Sequence, residues 1–341
     1  MKPILIDALH ICMGGGLMIL DYLVDSLLES KVNFSLLKDI RCPKLSSEDK
    51  IQSITVLPSD IKIRKNYYRA HQNDFSAVLC FGNIPPAIRL NVPVHTYLHN
   101  VSLLRIPTDY GSIKKVKSYF KRRYIKYYSC NTDTWIVQTE NTARLVKEKL
   151  AKRNQPIKVF PFFRIPNDIN RTEKEQREDY VFIGDYTSAK GHEYLVDAWE
   201  KLYQRGFNCT LHLTVSESRF VKVIDSAISR GAKICNHGKI SFDKVIELYN
   251  KSKAIVYPSL NESLGLGIVE ALKAGCDVIG CNLPYMNSIC IPSVVFEPYS
   301  SDSIVDAVLK YESGEVNKSN LKIGDKVTDF IKYLKCFGQN D

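Results

Sequence analysis

Ten cysteines are spread along the chain, yet no two form a C-x-x-C pair and none stands with histidine at zinc-finger spacing. That pattern offers neither a linear metal motif nor a disulfide scaffold, so the cysteines read as buried free thiols of a reducing compartment. No aspartate cluster suggests a metal either. Also missing is any uncharged run approaching the roughly 20 apolar residues that cross a bilayer. The opening PILIDALHICMGGGLMIL is interrupted by Asp7, His10 and three glycines, where a signal peptide needs an unbroken apolar stretch. These absences lead to an expectation of a cytoplasmic protein, or one seated on the inner face of the cell membrane. No low-complexity tract argues for disorder, and 45% apolar with 25% charged residues is the balance of a globular chain. At 341 residues the chain suits two domains of about 150 residues each.

Acidic residues are scarce in only one half. Residues 1 to 165 carry 26 Lys and Arg against 13 Asp and Glu, a net +13, leaving 21 against 24, a net −3, for the remainder of the +10 total. An anionic partner is therefore expected to meet the first half.

Short apolar runs alternate with segments of helical period, the pattern of parallel sheets with helical crossovers. In the first half the predicted strands are 3–8, 76–82, 92–98, 134–139 and 157–162, with helices over 17–30 and 140–153. Residues 164 to 179, RIPNDINRTEKEQRED, have the composition of an exposed linker. Beyond it a second set of strands is expected at 179–185, 210–216, 253–259, 277–282 and 293–298. Between them HEYLVDAWEKLYQR, SFDKVIELYNKS and GIVEALKAG carry apolar residues at spacings of three and four. Two such α/β halves imply a ligand cleft between them.

The stretch NESLGLGIVEALKAGCDVIG, 261–280, sets Glu262 and Glu270 around a glycine-bearing apolar turn. It follows a predicted strand and opens a predicted helix ending at Gly275, where free N–H groups and the helix dipole hold anions. Gly265 and Gly267 allow a ligand to approach the backbone, and Leu264, Ile268 and Leu272 read as a core stripe. Eight helical residues span about 12 Å, beyond the roughly 5–9.5 Å between glycosidase carboxylates. The two glutamates read instead as clamps for hydroxyl groups flanking a bound anion, the outline of a nucleotide sugar.

With those residues in view, YPSLNESLGLGIVEALKAGCDVIGCNLPYM resembles the E-x7-E signature of retaining glycosyltransferase family 4, the glycosyl transferases group 1. VFIGDYTSAKGHEYLVDAWEKL is similar to the same family's K-G motif, with Lys190 and Gly191 in those positions. Asp185 stands where many members carry a phosphate-binding arginine. ICNHGKISFDKVIELYNKSKAIVYPSL matches the segment that loops around the base. The resemblance covers residues 178–300 well and is weaker across the first half.

The resemblance implies a GT-B fold: two Rossmann-like domains, 1–165 on the acceptor side and 166–320 binding the nucleotide sugar, with 321–341 a C-terminal helix able to cross back. It implies Lys190 at the donor diphosphate and Glu262 at the transferred sugar, both catalytic, with the N–H groups of Leu264, Gly265 and Leu266 at the phosphates and Glu270 on the ribose. No cofactor or metal is implied. In the first half the glycine-rich loop places Gly15 and Gly16 over the donor phosphates, and His99 is a candidate contact to the donor sugar, ahead of His95.

SIKKVKSYFKRRYIKYY, 112–128, holds seven Lys or Arg and an apolar row at Ile113, Val116, Phe120, Tyr124 and Tyr127. Its spacing is helical. The row suits either the core or a headgroup boundary, with Lys121, Arg122 and Arg123 meeting an anionic membrane surface. No nucleic-acid-binding signature accompanies the charge. The reading is a hexosyltransferase passing sugar from a nucleotide-diphosphate sugar to a glycan acceptor, lipid-linked, in surface polysaccharide synthesis. A catalytically silent binding subunit and a nucleotide-sugar epimerase remain as alternatives.

Overall fold

The computed structural model describes residues 2–105, 112–164 and 177–338. The chain divides into two compact units, Met1–Arg164 with Gly324–Asp341, and Ile165–Ile323.

The first unit begins with β1 (Ile4–Ala8), α1 (Gly14–Glu29), β2 (Phe34–Asp39), β3 (Ile54–Leu57) and α2 (Ile61–His71). It continues with β4 (Ala77–Cys80), β5 (Val94–Leu98), α3 (Ser112–Tyr128), β6 (Thr134–Val137), α4 (Glu140–Lys149) and β7 (Ile157–Val159). The seven strands form one sheet in the order β3-β2-β1-β4-β5-β6-β7, and the pairs are parallel. β1 is buried at every position, as expected for a strand covered on both faces. Asp7 within it is a buried charge, costly unless paired. Arg64 Nε lies 2.6 Å from Asp7 Oδ2, and the Tyr68 hydroxyl donates to the same oxygen. The other guanidinium nitrogens of Arg64 donate to the carbonyls of Ile84 and Pro85. One buried ion pair thereby ties β1 to α2 and to the loop after β4.

The second unit holds β8 (Asp179–Phe182), α5 (His192–Gln204), β9 (Leu211–Leu213), α6 (Ser218–Ser229), β10 (Ile234–Asn236), α7 (Phe242–Lys251) and β11 (Ser252–Tyr257). There follow α8 (Leu266–Lys273), β12 (Asp277–Cys281), α9 (Pro284–Ile289), β13 (Cys290–Ile291), β14 (Val294–Phe296), α10 (Ser301–Glu312) and β15 (Asn320–Leu321). Six strands make a parallel sheet, β10-β9-β8-β11-β12-β14, while β13 and β15 form a small antiparallel pair. α11 (Val327–Gly338) belongs to the first unit, where Phe330 stacks on Phe162 at 5.3 Å and Tyr333 lies 5.6 Å from Phe160.

Both sheets reverse their strand order once, between β1 and β4 in one and between β8 and β11 in the other. The loops leaving such paired strands diverge and open a crevice at the carboxyl edge.

Several expectations need correction. The first helix starts at Gly14, not residue 17, so the three glycines form its first turn. Its first N–H groups have no intrahelical partner in any case, which lets poor helix formers sit there. The helix expected over 140–153 stops at Lys149. The expected linker 164–179 falls mostly on residues outside the described set, and at its far end Glu178 is exposed while Arg177 is not. Arg177 is buried, donating at 2.8 Å to the carbonyl of Ala274.

Candidate functional site

In the second unit the loop after β8 runs through Gly184 and Asp185 to Lys190, and the loop after β11 runs from Pro258 to Gly265. These are the two loops at the sheet's reversal point. They are in direct contact: the N–H of Leu260 donates to Ala189 O at 2.8 Å. Gly191 adopts a left-handed backbone, φ 66°, and a Cβ there would stand 2.6 Å from Pro258 O. Only glycine combines that backbone with that approach. Across this contact Lys190 Nζ lies 2.6 Å from Glu262 Oε1, both side chains half-buried. Thus the structure brings together the two residues singled out as catalytic.

Each glutamate is held by a tyrosine to which the sequence reading gave no role. Tyr257, the last residue of β11, donates its hydroxyl to Glu262 Oε1 at 3.0 Å. Lys190 Nζ sits 5.7 Å from the centre of the same ring. Tyr249 of α7 donates to Glu270 Oε2 at 3.2 Å. Burial pushes Glu270 up to about 7, against the pull of the Tyr249 hydrogen bond. The carboxylates therefore differ in kind: one charge-paired, the other poised to titrate near neutrality.

Gly265 caps α8 with φ 63°, so the helix begins at Leu266 and ends at Lys273. Glu262 and Leu264 precede it, and a helical rise does not measure the separation of the two glutamates. The expected stripe is likewise shortened, because Leu264 and Ile268 are buried while Leu272 is half-exposed. Leu264 contributes its side chain to the core, leaving the backbone of 264–266 at the helix start. An α-helix leaves the N–H groups of its first turn without internal acceptors.

Asp185 faces away from a phosphate-binding role. Its Oδ1 accepts from the N–H groups of Tyr186, Ser216 and Glu217, and its Oδ2 accepts from the Ser216 hydroxyl at 2.7 Å. Those bonds hold the carboxyl below its usual range against the opposing effect of burial. The side chain fastens the β8 loop to the start of α6. His192, buried behind this loop, places Nε2 3.2 Å from Gly184 O.

The sheet edge brings together a group with no linear signature. His212, Cys235 and His237 hold their ligand-type atoms within 4.8 Å of one another. Asp179 accepts from His212 Nε2 at 3.0 Å, and His212 Nδ1 lies 3.1 Å from His237 Nε2. Parallel pairing sets Cys235 opposite His212, so strand register rather than residue spacing assembles the group.

In the first unit, Gly16 and His99 meet. A Cβ on Gly16 would lie 2.9 Å from His99 Nε2. Asn83, itself at φ 68°, accepts the N–H of His99 at 2.8 Å and contacts Nε2 at 3.2 Å. Burial lowers His99 to about 4, leaving it neutral at pH 7. Gly15 is exposed in the same helical turn. His95 is buried instead, its Nδ1 3.1 Å from the Tyr333 hydroxyl of α11.

α3 spans the expected 112–128. Among the described side chains of α3 Ile125 is the fully buried one, whereas Ile113, Val116, Phe120 and Tyr127 are exposed at 73%, 53%, 64% and 72%. Of the expected apolar row, Tyr124 packs against the core cluster and the other four side chains do not. Arg122 turns inward, its guanidinium 3.5 Å from Leu104 O, while Lys121 and Arg123 line a cavity. The three cations expected at a membrane thus diverge.

Residues 165–329 match the family model described as Glycosyl transferases group 1. An uncharacterised glycosyltransferase of Methanocaldococcus jannaschii is 24% identical over 251 residues, covering 70% of this chain and 67% of that protein. Among solved structures the chain is similar to sucrose-phosphate synthase of Thermosynechococcus elongatus, with TM-score 0.71, 15% identity and coverage of 92% and 90%. It is similar to the lipopolysaccharide outer core galactosyltransferase WaaB in apo form, with TM-score 0.66, 12% identity and coverage of 99% and 95%. HepE of Anabaena, solved with UDP and glucose, gives TM-score 0.64 at 13% identity over 91% and 89%. At such identities the likeness shows the fold, two Rossmann-like domains of the GT-B class.

Proposed function

We propose that this chain, whose residues 165–329 match the glycosyl transferases group 1 family model, moves a hexosyl unit from a nucleotide-diphosphate sugar to a lipid-linked glycan acceptor. The reaction retains anomeric configuration and belongs to surface polysaccharide assembly. The observation that carries this reading is the Lys190–Glu262 pair at the reversal point of the second unit's sheet, with Glu270 a short way along α8.

In the resting protein the two charges satisfy each other. A bound donor separates them: its diphosphate takes the ammonium of Lys190 and its sugar hydroxyls take the carboxylate of Glu262. In transfer, the bond from the anomeric carbon to the phosphate oxygen breaks. A bond to the acceptor oxygen forms on the same face, and the acceptor proton passes to the departing diphosphate. Lys190 and the N–H groups at 264–266 offset the charge that develops on the leaving group. Glu262 steadies the positive charge that develops on the sugar, and Glu270 accepts from the ribose hydroxyls.

WaaB, a lipopolysaccharide enzyme by name, and HepE with its UDP and glucose support the donor and pathway classes. The exposed Ile113 and Val116, flanked by Lys115 and Lys117, support a peripheral contact with anionic lipid. No helix among the described residues is long and apolar enough to cross a membrane.

The test is incubation with a panel of labelled nucleotide sugars, with and without lipid-linked acceptor. Label should reach the acceptor only when acceptor is present, with the anomeric proton reporting retention. An altered or free sugar nucleotide formed without acceptor, or no turnover with any donor, overturns the reading.

A further inference from the structure

The first unit carries a site of its own at the carboxyl edge of its sheet. A cavity of about 770 Å³ opens there, lined by His10 just after β1, by Ser59 through Lys65 following β3, by Ile84 and Ala87 beyond β4, and by the last three turns of α3. β1 and β4 flank the reversal point of this sheet, where diverging loops leave room for a ligand.

Two properties of the lining define what fits. The first is an aromatic wall. Phe120, Tyr124 and Tyr127 line the cavity, and Tyr124 also packs against the core cluster that Ile125 joins from the same helix. Leaving Phe120 and Tyr127 mostly exposed forfeits the burial that usually fixes such residues. A wall of this kind suits the apolar face of a sugar ring or an isoprenoid chain. The second property is unbalanced positive charge. Lys65, Lys121 and Arg123 line the cavity, and none is paired with a carboxylate among the described residues. Of the acids in the lining segments and the adjoining strand β2, Asp7 pairs with Arg64, Asp39 pairs with Arg41, and Asp60 caps α2 by accepting from the N–H groups of Lys62 and Ile63. Protein mass around Lys121 lowers its pKa, which a bound anion would reverse.

We propose that this cavity binds the acceptor through an anionic group, a phosphate or a carboxylate, held by Lys65, Lys121 and Arg123 with the adjoining sugar or lipid face on Phe120, Tyr124 and Tyr127. The word acceptor rests on the glycosyltransfer reading; binding of an anion beside an apolar face does not.

The experiment is calorimetric titration of the full chain with geranyl phosphate, glucose 6-phosphate, glucuronate and glucose, in the absence of lipid vesicles. The anions should bind at least tenfold more tightly than glucose. Geranyl phosphate binding best identifies a lipid phosphate, and either sugar anion binding best identifies a charged glycan. K121Q/R123Q should weaken the preferred anion at least tenfold, whereas K126Q/K147Q, the same charge change at exposed residues off the cavity, should leave it within twofold. Equal affinity for glucose overturns the proposal, as does equal loss in both double variants, which marks a diffuse basic surface. It is also overturned if the probes bind only when phosphatidylglycerol vesicles are present, which marks a planar membrane contact. Transfer of label from nucleotide sugars to acceptor in the same preparations keeps the two readings separable: its absence with every donor removes the glycosyltransfer assignment and leaves the anion site standing.

Discussion

Lys190 and Glu262 form a 2.6 Å ion pair across 72 residues of sequence, one side chain at the end of the loop after β8 and the other in the loop after β11. Because each is the other's resting partner, removing one leaves a half-buried charge uncompensated as well as deleting a contact to the donor. Glu262→Ala is expected to abolish transfer, and Lys190→Ala to lower kcat by about 10²–10³-fold. The exchange K190E/E262K restores the pair and the melting temperature without restoring turnover. Recovery of activity in that exchange would reduce the pair to a structural strut.

Glu270 should set a pH dependence on nucleotide binding. With its pKa near 7, the carboxylate is fully available to ribose hydroxyls only as pH climbs past neutrality. Affinity for the preferred nucleoside diphosphate is expected to rise between pH 6 and 8, and Glu270→Gln to bind roughly tenfold more weakly with a flat profile, a loss of about 1.4 kcal/mol. The same slope in the variant assigns the titration to another group. The stability term has the opposite direction. A carboxyl whose folded pKa is raised stabilises the native state fully below its unfolded pKa near 4.5, and that contribution is lost as pH rises through about 7.

Four histidines make the protein acid-labile. Burial is the leading cause that lowers His10, His95, His99 and His192 to about 4. Between pH 4 and 6.5 the unfolded chain binds protons that the native state refuses, so stability falls as pH drops through that window. The cost is of order 3 kcal/mol or less per histidine. Trp135 and Trp199, one in each unit and both buried, allow the units to be followed separately through W199F and W135F backgrounds. His95→Gln should lessen the pH slope reported by Trp135, since His10 and His99 remain in that unit, and leave that of Trp199 unchanged; a change in both argues that the units do not unfold independently.

Gly191→Ala should unsettle the loop that carries Lys190. The left-handed backbone costs a residue with Cβ about 1–2 kcal/mol, and the approach to Pro258 O adds to it. A fall of at least 4 °C in the Trp199-reported melt is expected, with loss of activity exceeding loss of folded protein. An unchanged melt shows that the loop yields freely.

The amino-terminal half of α3 should govern contact with lipid. Ile113→Ser with Val116→Ser is expected to reduce pelleting with phosphatidylglycerol vesicles several-fold, and added salt to reduce wild-type pelleting further. Pelleting indifferent to both changes removes membrane association from the proposed function.

The second unit's parallel sheet was legible because strands such as KAIVYPS are apolar runs bounded by polar turns, and Lys190, Glu262 and Glu270 because they stand in extended motifs. The first unit was read less completely for a definite reason. The buried residues of α2 are Arg64 and Tyr68, so the face it packs inward carries no hydrophobic period. β2, FSLLKD, ends in a lysine and an aspartate that are both buried, which breaks the alternation that announces a strand. Tyr249 and Tyr257 escaped notice because their partners are fixed by how α7, β11 and α8 pack. The anion cavity draws on four separated segments, so no window of sequence contains it. The course of the β8 loop at Asp185 was equally out of reach, since the amides that bind it belong mainly to residues 216 and 217.

α11 lays Phe330, Tyr333 and Phe337 against Phe162, Phe160 and His95 of the first unit, yet the whole of Ile165–Ile323 separates it from them in the chain. During translation the opening unit must therefore wait, its aromatic flank wet, while the ribosome builds the other one. A nascent polypeptide stalled before Val327 would present that flank to chaperones and proteases. The cover that α11 gives this flank thus arrives only after the whole of Ile165–Ile323 has been made.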